Sequence, residues 1–246
     1  MDSSGADSPE IQKFGMSEVD RVPEGPGIYA WYAKFRAGKY DWMARPENGQ
    51  DAAIESFLDL IRHYASYYEP LPINLKGAAP YGGLWSGSLE LDHGVPRSVV
   101  SSAKGDPLNE ILEKDRDALE AAISSESSRQ ILAELLSGIT PVFSAPLYIG
   151  VAENLQSRLK KHRATYTSGI DWLADHPEGA EELRSKANSF GLRAAARGIA
   201  MEHLEVWVID LEAKYGSENS IADLRVTARS AEWLLHRLFS PILGRQ

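Results

Sequence analysis

Apolar positions along the chain change their period several times, and each change marks an element. Gly27-Ile28-Tyr29-Ala30-Trp31-Tyr32-Ala33 is short and rich in aromatic and β-branched residues, which predicts a strand. From Asp51 to Tyr64, Ile54, Phe57, Leu58 and Ile61 recur at helical spacing. Residues 70–97 hold many Pro, Gly and Asn with scattered aromatics, predicting loops with short strands near Gly83–Leu91. Helical spacing returns from Leu108 to Leu136 through Leu108, Ile111, Leu112, Leu119, Ile123, Ile131, Leu132 and Leu135. Asp106-Pro107 opens that stretch and Ser124–Ser128 splits it into a helical hairpin. Pro141 to Pro146 reads as an extended, turn-bounded piece, and Leu147–Val151 as a second strand. Asn154 then caps a helix running to about His162, with Leu155 and Leu159 inward at i, i+4. Residues 169–200 are mixed, with a helix around Glu181–Asn188. Leu204–Leu211 is a third strand. Ile221–Phe239 is an amphipathic helix carrying Leu224, Ala228, Ala231, Leu235 and Leu238 on one side and ending before Pro241. There is no internal repeat.

Composition narrows the class. The chain has 246 residues, of which 43% are hydrophobic, enough to bury a core. No apolar run approaches the roughly 20 residues needed to span a bilayer. Met1 to Pro9 is small, polar and acidic, unlike a signal peptide, so export is not expected. There is no cysteine, which removes disulfides, thiolate metal ligands and cysteine nucleophiles; a cytoplasmic location fits. The net charge is −9. Acids outnumber bases through Gly150, and the two balance after it. That works against a free-standing nucleic-acid binder, because phosphate affinity comes from Lys and Arg. A local basic strip can still bind phosphate on an otherwise acidic surface.

The chemistry-bearing residues gather around the strands. Tyr29 has Gly27 two residues before it, and Tyr148 has Gly150 two after it. If the strands pair, two phenols lie side by side. On the helix that follows, Arg158 and His162 share a face at i, i+4, with Lys160, Lys161 and Arg163 around them. Glu232 sits in the middle of the last helix between Ala231 and Trp233. Phenol, guanidinium, imidazole and carboxylate together suit phosphodiester chemistry. A carboxylate can hold a divalent ion, cations can stabilise charge on phosphate, and a phenol or imidazole can take a proton from water. Each has a plainer reading alone. The tyrosines can be core packing, the basic strip a solvated face, His162 a surface residue, and Glu232 an exposed residue paired with His236 at i+4.

Taken in order, these segments resemble the GIY-YIG nuclease family. Pro26-Gly27-Ile28-Tyr29 is similar to the family's first signature strand. Leu147-Tyr148-Ile149-Gly150-Val151-Ala152-Glu153-Asn154-Leu155-Gln156-Ser157-Arg158-Leu159-Lys160-Lys161-His162 is similar to its second strand and Arg-bearing helix. Leu204–Leu211 resembles the third strand, and Ala231-Glu232-Trp233-Leu234-Leu235 the helix with the metal-binding glutamate. The resemblance implies an α+β fold with a small three-stranded antiparallel sheet flanked by helices. It divides the chain into a flexible leader (1–22), a nuclease-like domain (23–35 and 141–246) and an inserted helical, loop-rich subdomain (36–140).

It also implies roles. Glu232 would bind Mg²⁺ or Mn²⁺, and Arg158 would contact the scissile phosphate with Lys160, Lys161 and Arg163 alongside. Tyr29 and Tyr148 are the paired tyrosines, Tyr29 being favoured to activate or orient water, and His162 assists Tyr29 as a proton acceptor. The implied activity is metal-dependent hydrolysis of DNA, as in restriction or anti-phage defence. The acidic insertion would meet a protein partner. Two departures stand out. The signature strands, joined by a short link in the family, are separated here by residues 34–146, and Gly244 holds the place where many members carry Asn. A catalytically silent binding module, or a subunit activated by a partner, remains the alternative reading.

Overall fold

The centre of the fold is a four-stranded antiparallel sheet in the order β1 (Gln12–Gly15), β8 (Leu204–Asp210), β2 (Gly27–Ala33), β7 (Tyr148–Ala152). The computed structural model describes residues 10–68, 73–78, 84–89, 118–216 and 219–244. Successive side chains of a strand point to opposite faces, and β2 follows this rule throughout. Gly27, Tyr29, Trp31 and Ala33 are buried, while Ile28, Ala30 and Tyr32 are half-buried. β8 repeats the pattern with Leu204, Val206 and Val208 inward. Antiparallel pairing sets Tyr29 opposite Gly150 and Trp31 opposite Tyr148.

The α+β class is as expected, but the sheet has four strands rather than three. The extra strand comes from the stretch read as a flexible leader. Gln12–Gly15 pairs with Glu205–Val208, and a 3-10 helix, Met16–Arg21, follows it. Met16 and Val19 in that helix are fully buried. Two apolar residues three apart make too short a run to show a period, so burial rather than pattern fixes residues 10–22. Residues 1–9 lie outside the described ones.

Helices cover both faces. On the Tyr29 face lies α4 (Leu155–Asp175), with α5 (Ala180–Lys186) and α6 (Phe190–Ala196) packed beside it. Leu155 and Leu159 of α4 are completely buried, each worth about 2 kcal/mol of apolar transfer. On the other face, α7 (Leu211–Tyr215) and α8 (Ile221–Phe239) pack Leu211, Leu224 and Ala228 against Ile28, Val151 and Ile209. The helix expected around Glu181–Asn188 is α5, which ends at Lys186, and Ser189 caps a further helix, α6, by accepting from Leu192 N–H.

The chain divides into two units, one of Met1–Lys34 with Thr140–Gln246 and one of Phe35–Ile139. The second contains α1 (Lys39–Trp42), the ribbon β3 (Pro46–Glu47) with β4 (Gln50–Asp51), α2 (Ala53–Ser66), the ribbon β5 (Ile73–Ala78) with β6 (Leu84–Leu89), and most of α3 (Glu126–Phe143). Its core gathers Phe35, Phe57, Leu58, Ile123 and Ala133. Arg129 is wholly buried there and bonds Asp51 Oδ2 at 2.6 Å, Trp42 O at 2.8 Å and Ile123 O at 2.9 Å. The expected opening of a helical hairpin at Asp106-Pro107 lies outside the described residues. Pro141 was expected in an extended piece but lies inside α3. It sits in the last turn, where the loss of one N–H costs a single helical bond. No helix among the described residues is long and apolar enough to cross a membrane.

Candidate active site

The turn Pro23-Glu24-Gly25-Pro26 leads directly into β2 and also receives the start of α4. Leu155 N–H donates to Gly25 O at 3.1 Å and Gln156 N–H to Pro23 O at 3.1 Å. Asn154 caps the helix by accepting from Ser157 N–H at 2.7 Å. These bonds satisfy amides that a helix start otherwise leaves open, and they bind α4 to the turn that leads into β2. The helix runs past the expected end near His162 to Asp175.

Four of the five expected catalytic residues come together on this scaffold. Tyr29 and Tyr148 lie side by side with ring centroids 6.1 Å apart. Arg158 Nε donates to Tyr29 Oη at 3.2 Å. His162 Nε2 faces the same oxygen at 3.5 Å. His162 is buried, not a surface residue. Trp31 donates its indole N–H to His162 Nδ1 at 3.0 Å. Phe190 stacks on Trp31 at 5.0 Å and packs on His162 and Tyr148. α6 can bring Phe190 so close because Gly191 has no side chain; a Cβ there would press on the backbone of α4 at His162 and Tyr166.

Burial shapes the electrostatics. It pushes the Tyr29 phenol well up, and neighbouring Tyr148 adds to this against the opposing pull of Arg158. Burial, with the Arg158 and Lys161 charges behind it, pushes His162 down to about 3. Tyr29 is therefore a phenol and His162 a neutral imidazole at neutral pH.

Glu232 is placed differently. It makes no hydrogen bond or ion pair with the described residues, and His236 is not its partner. His236 Nε2 instead bonds Ile149 O at 2.9 Å, and its ring meets that of Tyr148 at 6.3 Å. Ala228, one turn before Glu232, packs against the sheet, and His236 is one turn after it, so Glu232 lies along the helix face turned to β7. It is half-buried. Among the described residues no three His, Asp or Glu side chains gather in a closed metal cage. A single unpaired carboxylate suits a hard ion that keeps most of its water and takes its other oxygens from phosphate, so the donor set fits Mg²⁺ or Mn²⁺ in that form only.

The basic strip is divided. Arg158 turns to the tyrosines and Lys161 is exposed. Arg163 grips Asp20 through both carboxylate oxygens at 2.6 and 3.1 Å, and Lys160 lies 3.5 Å from the same group. These ion pairs hold the Asp20 carboxyl below its ordinary value, the Arg163 bond being the largest cause. Arg163, and more loosely Lys160, thus tie α4 to the 3-10 helix through Asp20.

Sequence reasoning missed Trp31, Phe190, Arg193 and His236. Trp31 carried a signal, since it is two residues beyond Tyr29 and so on the same strand face. The rest depend on tertiary contacts. Arg193 donates to Leu243 O at 2.9 Å and Gly244 O at 2.6 Å, and Leu243 N–H donates to Leu147 O at 2.7 Å. The tail is thus tied to β7 without an Asn. A Cβ at Gly244 would lie 2.9 Å from Pro241 O and 3.4 Å from His236 Cε1. Compared with protein-family models, with curated proteins and with solved structures, the chain matches none, and its functional reading rests on this geometry and the motifs behind it.

Proposed function

We propose that this chain is a GIY-YIG-type endonuclease that hydrolyses DNA phosphodiester bonds with a divalent cation. The observation that carries the reading is the convergence of Tyr29, Tyr148, Arg158 and His162, from two distant stretches of sequence, on one phenol oxygen and its neighbour. On this reading β7, β2 and β8 are the family's core sheet and β1 an addition to its edge. Arg158 binds the scissile phosphate and stabilises the charge that develops on it. Tyr29 and Tyr148 orient the water that attacks phosphorus. Glu232 would hold the ion, whose chemistry is to neutralise charge on the phosphate oxygens.

The test is plasmid cleavage with Mg²⁺ or Mn²⁺, comparing wild type with Glu232→Ala. Nicking or linearisation by wild type alone supports the reading. Equal cleavage by both removes Glu232 as the ion's ligand. No cleavage by either turns attention to a second reading, a subunit that a partner activates. The pairing of Lys160 and Arg163 with Asp20 favours that alternative, since it withdraws two cations from DNA. The acidic insertion, residues 36–140, is the segment we would assign to such a partner.

A further inference from the structure

An indole N–H can only donate a hydrogen bond. The atom that receives the Trp31 N–H, His162 Nδ1 at 3.0 Å, must therefore present a lone pair. A neutral imidazole carries its one proton on the other nitrogen. That nitrogen, Nε2, is the one facing Tyr29 Oη at 3.5 Å. A proton on Nδ1 instead would set two hydrogens against each other and leave a buried indole N–H unpaired, a cost of the kind that buried donors avoid.

Tyr29 Oη thus faces two donors, Arg158 Nε–H at 3.2 Å and His162 Nε2–H. With both acceptor positions engaged, the remaining direction at that oxygen belongs to its own hydrogen, for which the Tyr148 side chain is a partner within reach.

Resting on the nuclease reading, we infer that Trp31 is a positioning residue: its N–H on Nδ1 locks His162 as the Nε2–H form, so that His162 donates to Tyr29 and the Tyr29 O–H points away from it, toward Tyr148 and the substrate. His162 is then not the acceptor of the Tyr29 proton that the family resemblance suggests, because its only lone pair is already taken. The charged and titratable groups around the imidazole agree with a neutral ring. Arg158 and Lys161 on its own helix disfavour a cation, Tyr29 of β2 is held as a phenol by burial, and the Tyr148 ring of β7 packs edge-on against the imidazole.

Long-range ¹H–¹⁵N correlation of the His162 ring tests this directly. In wild type at neutral pH, Nε2 should carry the proton and Nδ1 should show the shift of an unprotonated acceptor. A proton on Nδ1 overturns the inference. Trp31→Phe keeps an aromatic ring against Phe190 and removes the N–H. It should populate the Nδ1–H form and lower kcat about tenfold, with KM little changed, as expected for loss of an orienting partner. An unchanged tautomer and unchanged kcat in that variant also overturn it. Should the variant fail to fold, the wild-type spectrum still decides. Should wild type cut no DNA, the reading as a nuclease active on its own fails while the ring nitrogens report on the lock independently.

Discussion

Tyr29 and Gly150 are partners across β2 and β7, and a Cβ added at Gly150 would come within 2.5 Å of the Tyr29 hydroxyl and 2.7 Å of its Cζ. Gly150 of β7 is therefore a seat for the Tyr29 phenol of β2. Gly150→Ala should displace Tyr29 from Arg158 and His162, abolish cleavage and destabilise the fold by about 1–3 kcal/mol, the usual cost of overpacking. Urea unfolding beside a cleavage assay checks both; an active Gly150→Ala protein would show that Tyr29 need not occupy this seat.

His162 makes the fold acid-sensitive. Burial first, and then Arg158 and Lys161, push it down from 6.5 to about 3. The unfolded chain takes up a proton below 6.5 that the folded chain refuses until about 3. Stability is thus full above the unfolded value and falls on acidification between the two, at about 1.4 kcal/mol per pH unit. Urea midpoints measured from about pH 7 to about pH 4 should fall more steeply for wild type than for His162→Gln. Parallel curves would mean that the folded protein titrates His162 normally.

Part of this was legible from the chain alone. β2, β7 and β8 announced themselves because an aromatic, β-branched run can bury one face only as a strand, and α8 because Leu224 and Ala228 recur at helical spacing. The pair of tyrosines was legible from the Gly-Ile-Tyr and Tyr-Ile-Gly order. What could not be read were partnerships across long separations. Asp20 neutralises Arg163, and nothing local to either residue says so. Trp31 was legible only as part of a strand, and its N–H acquires meaning only once His162 is known to lie beneath it. The leader failed for a different reason, since four residues of strand and a six-residue 3-10 helix are stabilised by what they dock on.

Arg129 is the polar centre of the second unit. Burial raises the cost of the Asp51 charge, but the Arg45 and Ala53 N–H groups and Arg129 outweigh it and hold that carboxyl below its ordinary 3.8. Arg129→Met would strip the donor from Asp51 and from the Trp42 and Ile123 carbonyls. Breaking one side of a buried pair costs about 3–5 kcal/mol, so residues 35–139 should unfold at markedly lower denaturant. A loss below about 1 kcal/mol would place this arginine among the weak surface pairs.

Lys161 and Arg163 should differ in their effect on DNA binding. With Glu232→Ala as a non-cutting background, Lys161→Ala should reduce the slope of log affinity against log salt by about 0.9, one phosphate contact. Arg163→Ala, which removes a cation already held by Asp20, should leave the slope nearly unchanged. The reverse order would mean that DNA displaces Asp20. Fluorescence anisotropy across a salt series reads both.

Because β2 pairs only with β7 and β8, both made later, assembly follows a fixed order in time. While a ribosome is still translating residues 34–147, Tyr29 already exists and Tyr148 does not. During that interval the strand Gly27–Ala33 has both edges unpaired and its aromatics uncovered, a state prone to association with other chains. An unfinished chain thus holds half of each pair it needs, and no truncated product of synthesis that stops before β7 can carry the assembled tyrosine cluster.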